Sequence, residues 1–172
     1  MKTKQITVGI LMGSDSDLSI MQEARKVLEE FGISCEMKVA SAHRSPYYVA
    51  SYASTAHTKG MKVIIAGAGG AAHLPGVCAA YTPLPVIGVP ITTKSLGGID
   101  SLLSIVQMPS GVPVATVGIG GGKNAGILAA QIIAASDTRL LKKMIEYKKK
   151  LENESLLKNK KLTFAGVRAK KP

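Results

Sequence analysis

Short apolar runs alternate along this chain with segments of helical periodicity, and each run ends in a loop of glycine, serine or other small residues. Residues 6–12 form the first run, closed by Gly13 and acidic and hydroxyl side chains. Leu18, Met21, Ala24, Val27, Leu28 and Phe31 then recur at helical spacing over 17–31, and Gly32 stops the helix. Further strands are predicted at 34–39, 62–66, 85–89 and 114–119, and helices at 46–57, 100–107, 123–135 and 137–157. Ser45 stands where an N-cap belongs, with Pro46 at the first helical position, and Asp100 reads as the cap of the 100–107 helix. Uninterrupted apolar strands joined through helices imply a parallel sheet covered on both faces, an α/β architecture. Right-handed crossovers bring the strand-to-helix loops to one end of the sheet, where open α/β sheets bind their ligands.

The chain has 172 residues, the size of one domain, and is 46% hydrophobic, enough for a real core. We expect a single α/β domain over 1–157 and a basic, mobile tail over 158–172. The opening segment has too few apolar residues for a membrane span and no cleavage site after an apolar stretch, so a cytoplasmic location is expected. Cys35 and Cys78 lack metal-ligand or redox spacing and read as small apolar fillers. With 22 basic and 11 acidic residues the net charge is +11, which first suggests a nucleic-acid partner. The surplus is local: residues 137–172 hold 12 basic and 4 acidic side chains. Without interleaved aromatics such a segment reads as a solvated helix face, and nucleic acid is not expected as a partner.

Three loops carry the candidate chemistry. In Gly13-Ser14-Asp15-Ser16-Asp17 the glycine permits a tight turn, and the amides at the following helix start favour a phosphate. Ser14 and Ser16 add hydroxyls, and a carboxylate could grip ribose; alternatively Ser16 or Asp17 only caps the helix. In Ser41-Ala42-His43-Arg44-Ser45-Pro46, Arg44 is a fixed cation suited to bidentate phosphate binding. An imidazole, with an ordinary pKa of about 6.5, passes protons both ways near neutrality, which makes His43 the acid–base candidate. Gly67-Ala68-Gly69-Gly70-Ala71-Ala72-His73-Leu74-Pro75-Gly76 has almost no side-chain volume, so a flat ligand or small carboxylate could approach its amides. Tight packing would also select these residues, and His73 is read as orienting the loop. Lys123, opening a later helix after Gly120-Gly121-Gly122, is read as solvated. No metal-binding, P-loop, dinucleotide or serine-hydrolase motif is present. No metal and no cofactor are expected.

GSDSD, SAHRSP, GAGGAAHLPG and DSLLSIVQMPSGVPVAT, in this order and spacing over about residues 6–157, resemble the PurE family. The resemblance implies a flavodoxin-like three-layer α/β/α sandwich with a central parallel sheet, assembled as a homo-octamer with its final helix against a neighbour. It implies a mutase of purine biosynthesis that moves a carboxylate from the exocyclic nitrogen to carbon 4 of an imidazole ribonucleotide. His43 matches the family's catalytic histidine, and Ser14, Asp17 and Arg44 its nucleotide-binding positions. Ser16 and Ser41 are additional phosphate or ribose contacts, while Gly69, Gly70 and Ala71 line the pocket for the migrating carboxylate, with His73 nearby. A second branch, which carboxylates the aminoimidazole nucleotide directly, typically has Lys-Gly in place of Arg44-Ser45, so SAHRSP resembles the mutase branch. The segment GIGGGKNAGILAA is shorter than the glycine-alanine loop of many members.

Overall fold

The computed structural model describes residues 5–164. Five strands, β1 (Val8–Met12), β2 (Cys35–Val39), β3 (Val63–Gly69), β4 (Val86–Ile91) and β5 (Ala115–Thr116), form one sheet in the order β2-β1-β3-β4-β5. All four pairings are parallel. Six helices accompany them: α1 (Leu18–Phe31), α2 (Pro46–Thr55), α3 (Leu74–Tyr81), α4 (Ile99–Val106), α5 (Gly122–Ala134) and α6 (Thr138–Phe164).

The alternation of side chains along a strand divides the core into two layers. Val8, Ile10 and Met12 of β1 point to one face with Val63, Ile65, Ile87 and Val89, where Met21 and Leu28 of α1 and Ala125 and Ala129 of α5 cover them. Leu11, Ile64, Ala66 and Val86 point to the other face, under Val49 and Ala53 of α2, Leu74 and Cys78 of α3 and Ile105 of α4. The result is an α/β/α sandwich. On the first face α5 lies very close to α1, because Gly122 and Gly126 present bare backbone there. A Cβ at Gly122 would stand 2.0 Å from the Ile20 carbonyl oxygen, and one at Gly126 2.7 Å from that of Ala24.

Several boundaries differ from the sequence expectation, each for a physical reason. β3 runs on through Gly67-Ala68-Gly69, which reads as a loop but stays strand because Gly67 pairs with Met12 and all three pair with Val89 to Ile91; bulk is excluded there, since a Cβ on Gly67 would meet the Met21 sulfur at 2.3 Å. α3, between the third and fourth strands, has no counterpart among the helices expected from the sequence. Pro75 and Gly76 near its start, and small residues around it, erase the periodicity that marks an amphipathic helix. β5 is two residues rather than six, a short sheet edge. Ser45 leaves its helix uncapped by its side chain, and Asp100 is displaced as a cap by Gly98, two residues earlier. The last helix, expected to stop near Leu157, continues to Phe164 through helix-compatible Lys, Asn and Leu residues before Gly166. The remainder of the expected tail, 165–172, lies outside the described residues.

Cys78 is buried and Cys35 half-buried, both as free thiols. Desolvation pushes the Cys78 thiol up to about 12, so it sits in the core as a neutral filler. Among the described residues, no helix is long and apolar enough to cross a membrane.

Candidate active site

In the order 2-1-3-4-5 the chain turns back across the sheet between β1 and β3, and the crevice at the carboxyl ends of these strands is the topological switch point. A cavity of about 580 Å³ opens there. It is bounded by the loops after β1, β2, β3 and β4 and takes in Ser14, Ser16, Asp17, Ser41, His43, Arg44, Gly69, Ala71 and His73.

The β1 loop is organised from within. Asp17 is buried, and its carboxylate accepts from the Ser14 N–H at 3.2 Å and from the Ser16 hydroxyl at 3.1 Å. The Ser14 Oγ accepts in turn from the Ser16 N–H at 3.3 Å, a reciprocal cap on the short turn ahead of α1. The capping alternative named Ser16 or Asp17; the structure makes Ser14 the cap, with Asp17 completing the capping box and Ser16 taking no such role, and Ser14 and Asp17 still border the cavity. Capping and ligand binding share one loop.

The β2 loop is tied by serines. Ser45 Oγ accepts from the Ser41 N–H at 3.1 Å and donates to the Ser41 carbonyl at 3.0 Å, which is why its hydroxyl is not free to cap α2. Ser41 Oγ accepts from the backbone N–H and the Nε of Arg44, at 3.2 and 3.3 Å. The far end of the guanidinium donates to the Gly13 carbonyl at 2.9 Å, so Arg44 bridges the first two loops. It makes no ion pair among the described residues. Its charge faces the cavity without a carboxylate to offset it, the condition for binding an anion.

His43 and His73 meet across the crevice. Nε2 of His43 lies 2.8 Å from Nδ1 of His73, and the rings are edge-to-face with centroids 4.9 Å apart. One of these nitrogens must carry the hydrogen and the other accept it, so the tautomer of each ring is coupled to that of its neighbour. His73 directly precedes α3. It does more than orient its own loop, because it holds the acid–base candidate.

The β3 loop supplies backbone. Gly69 and Ala71 border the cavity, whereas Gly70, expected beside them, turns its polar groups away from it. The Gly70 N–H donates to Ser101 Oγ at 2.9 Å, and its carbonyl accepts from the Ser104 hydroxyl at 3.3 Å. Gly70 has φ +68°, a left-handed conformation that suits glycine. The N–H of Ala71 has no partner among the described residues and is a free donor at the cavity edge.

Leu74, at the end of the glycine-rich segment, also lines the cavity, and sequence reasoning missed Ile91 and Thr92, which line it too. Thr92 follows β4 directly, and recognising that the β4 loop shares the carboxyl end of the sheet would have found it. Lys123 is exposed and does not line the cavity. No cluster of three or more His, Cys, Asp or Glu side chains suited to a metal occurs among the described residues. One crevice thus combines an unpaired guanidinium, hydroxyls on tight turns, an imidazole pair and a wall of small residues.

Known proteins share this arrangement of chain. A family model described as AIR carboxylase matches residues 7–154. A Synechocystis protein named N5-carboxyaminoimidazole ribonucleotide mutase is 58% identical over 162 residues, spanning 94% of this chain and 92% of its own. A Saccharomyces cerevisiae phosphoribosylaminoimidazole carboxylase is 54% identical over 162 residues, but the match spans only 28% of that longer protein. The crystal structure of Treponema denticola PurE superposes with a TM-score of 0.83 at 29% identity, covering 91% of this chain and 98% of that one. With its flavodoxin-like sheet and its match over most of its length, this chain belongs to the AIR carboxylase, or PurE, family.

Proposed function

We propose that this chain isomerises 5-(carboxyamino)imidazole ribonucleotide to 4-carboxy-5-aminoimidazole ribonucleotide in purine biosynthesis. The observation that carries the reading is the placement of His43 in one cavity with the unpaired Arg44 guanidinium and the small-residue wall. Substrate and product are isomers, so no external reductant, oxidant or energy source is needed. The reaction requires a bound ribonucleotide, a proton donor that can become an acceptor, and a place to hold one carbon dioxide.

The phosphate and ribose lie against Ser14, Ser16, Asp17, Ser41 and Arg44, where hydroxyls, loop amides and a fixed cation converge. The carbamate C–N bond then breaks, and its electron pair returns to the exocyclic nitrogen, which takes a proton from His43. Carbon dioxide stays against Gly69 to Ala71, where free amide hydrogen and the absence of bulk hold it beside the ring. Carbon 4 attacks it, and the proton displaced from carbon 4 returns to His43. Proton and carboxylate are both conserved. The Arg44-Ser45 pair and the high identity to proteins named as mutases support this reading over direct carboxylation of the aminoimidazole nucleotide.

Residues 1–157 constitute the catalytic domain in this reading, and the molecule works as a homo-octamer in the cytoplasm. Exposed apolar side chains, Leu96, Leu103 and Val106 around α4 and Leu151, Leu156 and Leu157 on α6, favour burial against further copies. Sedimentation of the purified protein tests the assembly.

Incubation with each of the two nucleotides, with and without bicarbonate, tests the reaction. Product from the carboxyamino substrate, independent of bicarbonate, is expected. Turnover of only the aminoimidazole nucleotide, and only with bicarbonate, overturns the mutase in favour of the carboxylase.

A further inference from the structure

Among the described residues only two polar side chains are buried, Asp17 and Ser101. Asp17 organises the loop after β1. Ser101, in the first turn of α4, is fully buried and does not line the cavity, yet its side-chain hydrogen bonds go to the two chain segments that do. Its hydroxyl donates to the Ile91 carbonyl at the end of β4, at 2.7 Å, and its oxygen accepts from the Gly70 N–H at 2.9 Å. Ser104, one turn on, directs its single hydroxyl hydrogen to the Asp100 carbonyl at 2.7 Å, with the Gly70 carbonyl as a second, longer acceptor at 3.3 Å. Asp100 accepts from the Thr93 hydroxyl at 2.8 Å, so the same helix also fastens the loop that follows Ile91 and Thr92.

We propose that Ser101 is a positioning residue for the reaction, with Ser104 as its second point of grip. Gly70 has no side chain to anchor it and no atom within 4 Å of where a Cβ would be. Its N–H is held by the Ser101 hydroxyl alone, while its carbonyl accepts from the Ala72 N–H at 2.8 Å and, at longer range, from the Ser104 hydroxyl. By fixing that turn, Ser101 aims the Ala71 N–H and the neighbouring Gly69 backbone at the site of the migrating one-carbon group. The phosphate and ribose side of the cavity hangs from β1 and β2 and is untouched by this grip. Loss of the hydroxyl is therefore expected to impair retention of carbon dioxide and to leave nucleotide binding alone. This inference rests on the mutase reading for its kinetic consequence but not for the grip itself.

The test is Ser101→Ala in the full chain, read three ways. Amide hydrogen exchange over residues 69–73 should quicken, which requires no activity. The kcat with the carboxyamino nucleotide should fall at least about tenfold with KM within about twofold, the split expected for an interaction that matters after binding. The fraction of substrate released as aminoimidazole nucleotide and free carbon dioxide should rise. Unchanged exchange in a folded variant overturns the grip. Quicker exchange with kcat within about twofold of wild type, or with KM raised as much as kcat falls, overturns the positioning role. Should Ser101→Ala not fold, Ser104→Ala is judged by the same readings, with smaller changes in the same direction expected. If the wild type fails to turn over the carboxyamino nucleotide, the mutase reading fails while the exchange result still decides the grip.

Discussion

The two walls of the cavity are built on opposite principles. The wall from β1 and β2 works through side chains: Ser14, Ser16, Asp17, Ser41 and Arg44 bind one another and leave a cationic, hydroxyl-rich surface. The wall from β3 and β4 works through backbone, shaped by glycine and alanine and fastened from behind by α4. In the proposed reaction the first wall recognises the nucleotide by charge and geometry, for which side chains are the right tool. The second, in the same proposal, holds a small linear molecule without filling the space it occupies, for which bare amides are the right tool. His43 and His73 belong to one wall each and touch at the crevice.

If this division is right, substitutions on the two walls should give different kinetic signatures. The largest effect is expected at the junction: His43→Asn should lower kcat by at least about a hundredfold, the usual scale of acid–base catalysis, while retaining nucleotide binding by calorimetry. Unchanged turnover would remove His43 from the mechanism. Next is Arg44→Ala, which should weaken nucleotide binding by about ten- to a hundredfold, the worth of a charge-assisted contact, with a smaller change in kcat. Equal losses in both walls' signatures would erase the distinction. Gly70→Ala places a side chain in open space but in a left-handed conformation, a strain of about 1–2 kcal/mol that thermal melting should detect. Its kinetic defect should follow kcat and not KM.

The smallest effect lies away from both walls. Asp137 accepts from the N–H groups of Leu140 and Arg139 at the start of α6, and the Leu140 bond, chiefly, holds its carboxyl below the ordinary carboxylate value. A depressed carboxylate stabilises the fold above its unfolded pKa and loses that contribution as pH falls through its folded value. Asp137→Ala should slightly lower the melting temperature at neutral pH. The difference from wild type should vanish in acid, with no change in turnover.

The same division decides what could be read in advance. β1, β4 and the helices α1 and α5 were visible because apolar runs and helical spacing act locally, within one segment. The side-chain wall was visible too, since Arg44 and His43 carry their chemistry wherever they stand. The backbone wall was only half visible: Gly69 and Ala71 signalled small volume, but small volume did not reveal that the segment was strand, that α3 followed it, or that Gly70 faced away. Ser101 left no trace, because a serine in the apolar run of α4 looks like any other until β3 and β4 are brought against it. Its role depends on residues 10 and 31 positions distant along the chain. Ser45 misled for the same reason, its hydroxyl being taken by a turn four residues earlier.

The imidazole pair has a consequence for how the crevice could be observed. Its two members follow β2 and β3, which flank β1 on either side, so their hydrogen bond joins loops whose parent strands lie two strand spacings apart, about 9.5 Å. Any splaying of the loops as ligand enters has to stretch or break that link. The ring nitrogens, isotopically labelled, would therefore act as a built-in gauge of the mouth's width in solution.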